Sequence, residues 1–327
     1  MSRASACPVG VADVTRRGGS MTAERYPDAR RARVGALRRW RLAGGPSTLL
    51  LALPMIVIFT YFSWWPIIKS LVLSVQKTNL ITAPTWVGWE NFSRVLADPL
   101  LGTAVGNTVM FTLISVLIGF PLPVLLAVFI NELRGMRGTA SGLAYLPVIV
   151  PPVVAVLLWS LMYDPSPDGV FNTILGWVGL GPLPWLQSPV LALPSIIVQA
   201  TWAGFGTTTI IYLAALRSVP AELYEAAECD GAGVVRKVWH ITLPQVRGIM
   251  LLMLLLQIIG VFQIFTEPFV MTGGGPNNST LTILMLIYNY AFVVGDYGKA
   301  TALSVLLAVV LSIVSAAYLW ATRKWSK

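Results

Sequence analysis

Six long stretches of mostly apolar residues dictate what this chain can fold into: Thr48–Val75, Asn107–Asn131, Leu143–Tyr163, Val190–Leu216, Gly248–Val270 and Lys299–Thr322. The hydrocarbon core of a bilayer takes about 20 such residues per helix. Inside it no water is available to backbone N–H and C=O groups, so each stretch must satisfy its own as a helix. Composition points the same way. Of 327 residues, 56% are hydrophobic and only 11% are charged, whereas a soluble domain carries about 25% charged residues. The expectation is an all-α membrane protein of six transmembrane helices, with an Arg-rich tail over residues 1–47 and a membrane domain over 48–327. Prolines 54, 66, 121, 123, 147, 151, 152 and 194 fall within or beside the spans. Membrane helices tolerate proline, and these residues read as kinks.

Basic residues orient the spans. Ten arginines precede the first, among them Arg30, Arg31, Arg33, Arg38, Arg39 and Arg41. Arg134 and Arg137 follow the second span; Arg217, Arg236, Lys237 and Arg247 surround the fourth-to-fifth connection; Arg323, Lys324 and Lys327 end the chain. Of the 23 basic residues only Lys69, Lys77, Arg94 and Lys299 fall elsewhere. Both termini and the fourth-to-fifth loop are therefore expected in the cytoplasm, and an odd span count would destroy the segregation. The net charge of +9 needs no nucleic acid; the tail suits anionic lipid headgroups. The first apolar run is long and has no Ala-x-Ala site after it, which predicts a retained helix rather than a cleaved signal. Cys7 and Cys229 form neither a disulfide framework nor a metal-ligand spacing.

The fourth-to-fifth loop, about residues 217–247, carries the most information. Pro220 is a helix start, and Glu222 and Glu225 suit the positive end of a helix dipole. Asp230-Gly231-Ala232-Gly233 then breaks the helix. A second short helix is expected over Val234–Ile241, with Val235, Val238 and Trp239 on one face, and Pro244 opening the fifth span. Ala226 and Ala227 permit close backbone approach, Gly231 permits a sharp turn, and Glu225 offers a charge to a partner's Arg or Lys. Taken alone, Glu-Ala-Ala is simply a good helix start.

The whole pattern says more. Glu225-Ala226-Ala227, three residues, Gly231, nine residues, then Ile241-Thr242-Leu243-Pro244 resembles the EAA signature of membrane-spanning subunits of ABC importers at every fixed position. The resemblance implies the type I importer permease fold, with a coupling helix between helices 4 and 5. It implies that Glu225, Ala226, Ala227, Asp230, Gly231, Ile241, Leu243 and Pro244 transmit the work of a separate ATPase dimer. This chain would then bind no cofactor and catalyse nothing itself; ATP and Mg would sit on the partner ATPase. A phosphate loop needs Gly-x-x-x-x-Gly-Lys-Ser/Thr, and Gly298-Lys299-Ala300 lacks the upstream Gly and the hydroxyl. Further implied partners are a second EAA-bearing permease in a heterodimer, an extracytoplasmic substrate-binding protein and the bacterial inner membrane.

Three more segments resemble the carbohydrate-uptake permeases, the maltose-type, glycerol-phosphate and multiple-sugar group: Trp86-Val87-Gly88-Trp89-Glu90-Asn91-Phe92, Met271-Thr272-Gly273-Gly274-Gly275-Pro276, and Gly295-Asp296-Tyr297-Gly298-Lys299-Ala300. The resemblance runs from about residue 48 to the end and departs in the tail. Importers of peptides, amino acids or glycerol phosphate are the alternative within the class. A secondary transporter would need an intramembrane site rich in carboxylates or an inverted repeat, and neither is visible. A membrane enzyme would need clustered acids, whereas Glu90, Asp98, Asp164, Asp168 and Asp296 are scattered.

Substrate contacts are sought among polar and aromatic side chains, because sugars offer hydroxyls and flat C–H faces. Gln257, Phe262, Gln263, Glu267, Asn289 and Tyr290 are the candidates, with Trp202 and Tyr212 behind them. Glu267 leads, because an ionisable residue at membrane depth is a functional signal, although it also fits the span edge. Four residues apart on one helix, Gln263 and Glu267 would share a face, with Gln257 about 120° away. Gly273, Gly274, Gly275 and Pro276 read either as a turn or as an outer gate touching the binding protein.

Overall fold

The computed structural model describes residues 45–133 and 135–323. The Arg-rich tail as far as residue 44, Arg134, Lys324 and Lys327 lie outside the described residues. The chain divides into two units, Met1–Tyr61 and Phe62–Lys327. The described part of the first is helix α1 (Gly45–Phe59) and the start of a π-helical turn, Thr60–Trp64.

The second unit opens with α2 (Trp65–Ser74) and a short antiparallel ribbon, β1 (Gln76–Lys77) against β2 (Thr85–Trp86), which the all-helical expectation did not contain. After α3 (Glu90–Leu96) comes the second span, α4 (Pro99–Gly119) and α5 (Pro121–Glu132). It begins at Pro99 rather than at Asn107 because Asp98 caps it: the carboxylate accepts from Leu100 N–H at 2.9 Å, and proline occupies the first turn.

The third span differs from its expected form. It is two helices, α6 (Arg137–Ile149) and α7 (Pro152–Met162), bent by 91°. Pro151 forces Val150 out of the helical region, to ψ 128°, and two successive prolines withhold N–H donors from the turn before. Among the described residues five helical segments are long and apolar enough to cross a membrane, and this broken pair is a sixth if counted as one. A further short helix, α8 (Val170–Gly176), precedes the fourth span, α9 (Ala192–Arg217).

Next come α10 (Ala221–Cys229) and α11 (Val234–Lys237). The second short helix does not stand apart as expected. It runs through a π-helical turn, Val238–Thr242, into α12 (Leu243–Phe262) as one helix of 29 residues. The widened turn lies where Pro244 leaves the preceding carbonyls without a helical donor.

The fifth span, expected to reach Val270, stops at Phe262. Had it continued, Pro268 would have clashed with the Ile264 carbonyl and offered it no donor. The chain instead breaks at residues 263–265 and restarts as α13 (Thr266–Thr272), while the Thr282 hydroxyl donates to Ile264 O at 3.0 Å. Thr282 also caps α14 (Ile283–Tyr288), which leads through the π-helical turn Asn289–Val293 to α15 (Tyr297–Thr322).

Apolar side chains in these helices point outward as well as inward. Leu117, Leu125 and Leu161 are 74%, 65% and 73% exposed, as lipid-facing residues are in a chain without its bilayer. The internal contacts lean on small residues. At Gly206 on α9 a Cβ would lie 2.4 Å from Ala144 O of α6, the close approach typical of membrane helix pairs.

Two of the sequence segments singled out above meet around the N-terminus of α15. Asn91, fully buried, donates to Ser74 O at 3.0 Å and Gln76 O at 2.9 Å. Asp296 caps α15 and pairs with Arg94 at 2.6 Å. Lys299 pairs with Asp98 at 2.5 Å, and the Tyr290 hydroxyl donates to the same carboxylate at 2.7 Å. Partial burial alone would raise the Asp98 pKa. The Lys299 and Tyr290 hydrogen bonds, with the Leu100 N–H, outweigh it and hold the carboxyl below its usual 3.8. A lowered carboxylate pKa contributes stability above the unfolded value and loses it as pH falls through the folded one, so this junction should loosen below pH 3.8 and be intact above it.

Gly298 admits the junction: a Cβ there would lie 2.2 Å from Gln76 O and 2.8 Å from Asn91 Nδ2. Gly298→Ala should therefore destabilise the detergent-solubilised protein by about 1–3 kcal/mol. Gly102→Ala, with nothing within 4 Å of the new methyl, should leave the unfolding temperature unchanged or raise it.

Candidate functional site

A cavity of about 390 Å³ opens between α4, α9 and α12, closed on one side by the first turn of α13. Its polar lining is built from helical spacings. Ser115 and Gly119 come from α4, Thr201, Gly204 and Thr208 from α9, and Gln257 and Gly260 from α12. Positions three or four apart stack on one helix face, so three narrow polar or small stripes converge on one space. Phe111, Phe205 and Met253 supply apolar walls. Gln257 ties two walls together, its Nε2 donating to Ser115 O of α4 at 2.8 Å. The amide fits because Gly119 has no side chain: a Cβ would stand 2.8 Å from Gln257 Nε2.

Glu267, in the first turn of α13, enters this lining as its one ionisable side chain. The partner inferred for it from helical periodicity is corrected. Gln263 and Glu267 do not share a helix, because the chain breaks between them. Gln263 is exposed and donates to Ile259 O at 3.2 Å, and Gln257 is the glutamine that joins Glu267 in the cavity. The remaining candidates lie outside the lining. Phe262 packs on the apolar cluster of α14 and α15. Asn289 starts a π-helical turn, and Tyr290 is buried at the Asp98–Lys299 pair with the ammonium 4.0 Å from its ring centre. Trp202 packs on Trp159 with its ring tilted by 52°, and Tyr212 is a core residue.

Sequence reading passed over Ser115, Gly119, Thr201 and Thr208. Their signal was present as small and hydroxylated residues at spacings of four and seven within otherwise apolar spans.

The glycine segment is a tightly held turn. Gly273 ends α13 in the left-handed conformation, Gly274 has φ 93°, and the Gly275–Pro276 bond is cis. Asn107 of α4 donates to Asn278 O at 2.7 Å and to Leu281 O at 2.9 Å, and the Thr108 hydroxyl accepts from Ile283 N at 3.1 Å. Gly274 is buried against Leu281 and Met285, whereas Gly273 remains exposed.

The 217–247 loop is a projecting helix–turn–helix. Glu225, Ala226 and Asp230 are exposed on and just after α10, and Ala227 is half-buried. Gly231, at φ 73°, makes the turn. Lys237 pairs with Glu228 at 2.7 Å across it, and the Tyr224 and Thr242 hydroxyls meet at 3.0 Å. Val235 and Trp239 project from the second arm, 82% and 69% exposed. Ile241 and Leu243 are half-buried at the base, beside exposed Pro244.

These features define a membrane protein of several apolar helices with a projecting helix–turn–helix and an internal polar cavity. Residues 92–327 match the family described as binding-protein-dependent transport system inner membrane component, and the chain belongs to that family. It is 34% identical to the arabinooligosaccharides transport system permease protein of Halalkalibacterium halodurans, over 84% of this chain and 87% of that one. It is 32% identical to the trehalose/maltose transport system permease protein of Thermococcus litoralis, over 83% and 91%. Among solved structures, a bacterial ABC transporter involved in the import of the acidic polysaccharide alginate matches with TM-score 0.78 at 28% identity, covering 88% of this chain and all of the matched one. The same transporter in complex with an alginate pentasaccharide-bound periplasmic protein matches equally, with TM-score 0.78. The chain is thus a multi-pass inner-membrane transport component with the ABC importer permease fold, not an enzyme on its own.

Gly119→Ala should push the Gln257 amide off Ser115 O and cost about 0.5–1.5 kcal/mol in thermal unfolding. Gly260→Ala, whose methyl would meet nothing within 4 Å, should leave stability unchanged or raise it by the same measurement.

Proposed function

We propose that this chain is one of two EAA-bearing permease subunits of a bacterial ABC importer for a sugar or oligosaccharide, coupled through the 217–247 loop to a separate ATPase dimer. The observation that carries this reading is the projecting helix–turn–helix itself. Its Glu225, Ala226, Val235 and Trp239 are exposed on a short rigid element, with Gly231 in a conformation that L side chains rarely adopt. An uncovered surface of this composition suits a groove on another protein. Sugar as the cargo is supported by the relatives that transport arabinooligosaccharides and trehalose or maltose, and by a cavity that combines hydroxyls, an amide and aromatic walls. ATP and Mg then belong to the partner ATPase.

On this reading both termini and the loop face the cytoplasm, which the segregation of basic residues along the sequence supports. The glycine turn and the α15 junction then face outward, where a substrate-binding protein delivers its cargo. ATP binding draws the two loops together and opens the path outward; hydrolysis resets it. The chain contributes differential contacts in the two states, since an equilibrium shifts only by such differences.

Purification of the tagged chain from its host tests the reading. It should bring down a Walker-motif ATPase, a second permease and a binding protein; recovery of the chain alone would overturn it. Gly231→Pro and Glu225→Lys should leave insertion intact and uncouple ATP hydrolysis from uptake, because proline holds φ near −65°. Normal uptake by a well-expressed Gly231→Pro complex would sink the coupling role.

A further inference from the structure

We infer that Glu267 is the charge filter of the cavity: the site accepts neutral or cationic saccharides and rejects carboxylated or phosphorylated ones. This rests on reading the cavity as the translocation path.

Glu267 is the one ionisable side chain in the lining; no Lys, Arg or His joins it. Among the described residues it has no ion-pair partner, so none of them cancels its charge. The neighbouring amide reinforces this polarity. Gln257 commits one of its two amide N–H groups to Ser115 O, and among the described residues its side-chain oxygen has no donor. A carboxylate and a carbonyl oxygen are acceptors only. They suit sugar hydroxyls, which donate, and they repel a uronate or phosphate oxygen, which also only accepts. The Ser115, Thr201 and Thr208 hydroxyls and the second N–H of Gln257 are the side-chain donors left to serve the sugar's own oxygens. In a space walled by apolar side chains, screening is weak and like charges a few ångströms apart repel far more than in water. The solved neighbour at 28% identity belongs to an importer of an acidic polysaccharide. On this inference the two chains share a fold and differ in the charge of what they pass.

The test reads the cavity's potential directly. In the full chain with Cys7→Ser and Cys229→Ser, Thr208→Cys is reacted in proteoliposomes with two methanethiosulfonates of similar size, one trimethylammonium and one sulfonate. The ratio of cationic to anionic reaction rates should fall about tenfold on adding Glu267→Gln, the scale of a unit charge at close range in a partly screened site. Glu267→Asp should retain the ratio, which a purely structural role would not distinguish. An unchanged ratio in Glu267→Gln, or no reaction with either reagent, would overturn the inference. Co-purification of the ATPase is scored separately. Loss of the ATPase with the ratio effect intact would overturn the importer reading, and an ATPase-bound chain whose ratio ignores Glu267 would overturn only the filter.

Discussion

Pro268 withholds the N–H that the Ile264 carbonyl would receive in a continuous helix, and a carbonyl of a buried residue left without a donor costs free energy. The Thr282 hydroxyl answers it at 3.0 Å. Much of the molecule follows from this substitution. The fifth span ends early, α13 swings Glu267 into the cavity, and the chain must return so that Thr282 reaches Ile264. The return is held in place from α4, where Asn107 and Thr108 bond the backbone of residues 278–283. A single missing donor thus shapes both the cavity floor and the glycine turn beside it.

The same rule explains the other departures from straight spans. Pro151 and Pro152 turn the third span by 91°, and Pro244 follows a widened π-helical turn. In water such breaks would be dressed by solvent. Here the freed carbonyl before Pro268 is dressed by the Thr282 hydroxyl, so that break becomes a point where one segment is obliged to touch another. The junction at α15 works differently, by charge. Arg94–Asp296 and Lys299–Asp98 tie α3 and the start of α4 to the last span, in a place where Gly298 lets the backbone of β1 come close enough to close it.

Function divides along the same line. The loop that projects from the membrane domain is local: its helix, turn and exposed face come from contiguous residues. The cavity is not local. Its lining draws one or two residues per turn from three spans, with the charge arriving from a fourth segment after a chain break.

The amino-acid sequence by itself determined the membrane class, the approximate positions of the spans, the boundaries of α10 and the family. Each of these rests on apolar run length, charge segregation or contiguous spacing, which short-range chemistry expresses directly. Pro151 and Pro152 were legible as kinks but not as a turn of 91°, and the break before Pro268 went unread, because the fifth apolar run continues through it to Val270. Only the tertiary structure decided that Gln257 rather than Gln263 accompanies Glu267, that Tyr290 serves an ion pair, and that Ser115, Gly119, Thr201 and Thr208 share a space. Periodicity assigns a residue to a helix face only while the helix lasts. Once an unpaired carbonyl ends the helix, the direction of the next segment is set by whichever distant donor satisfies it.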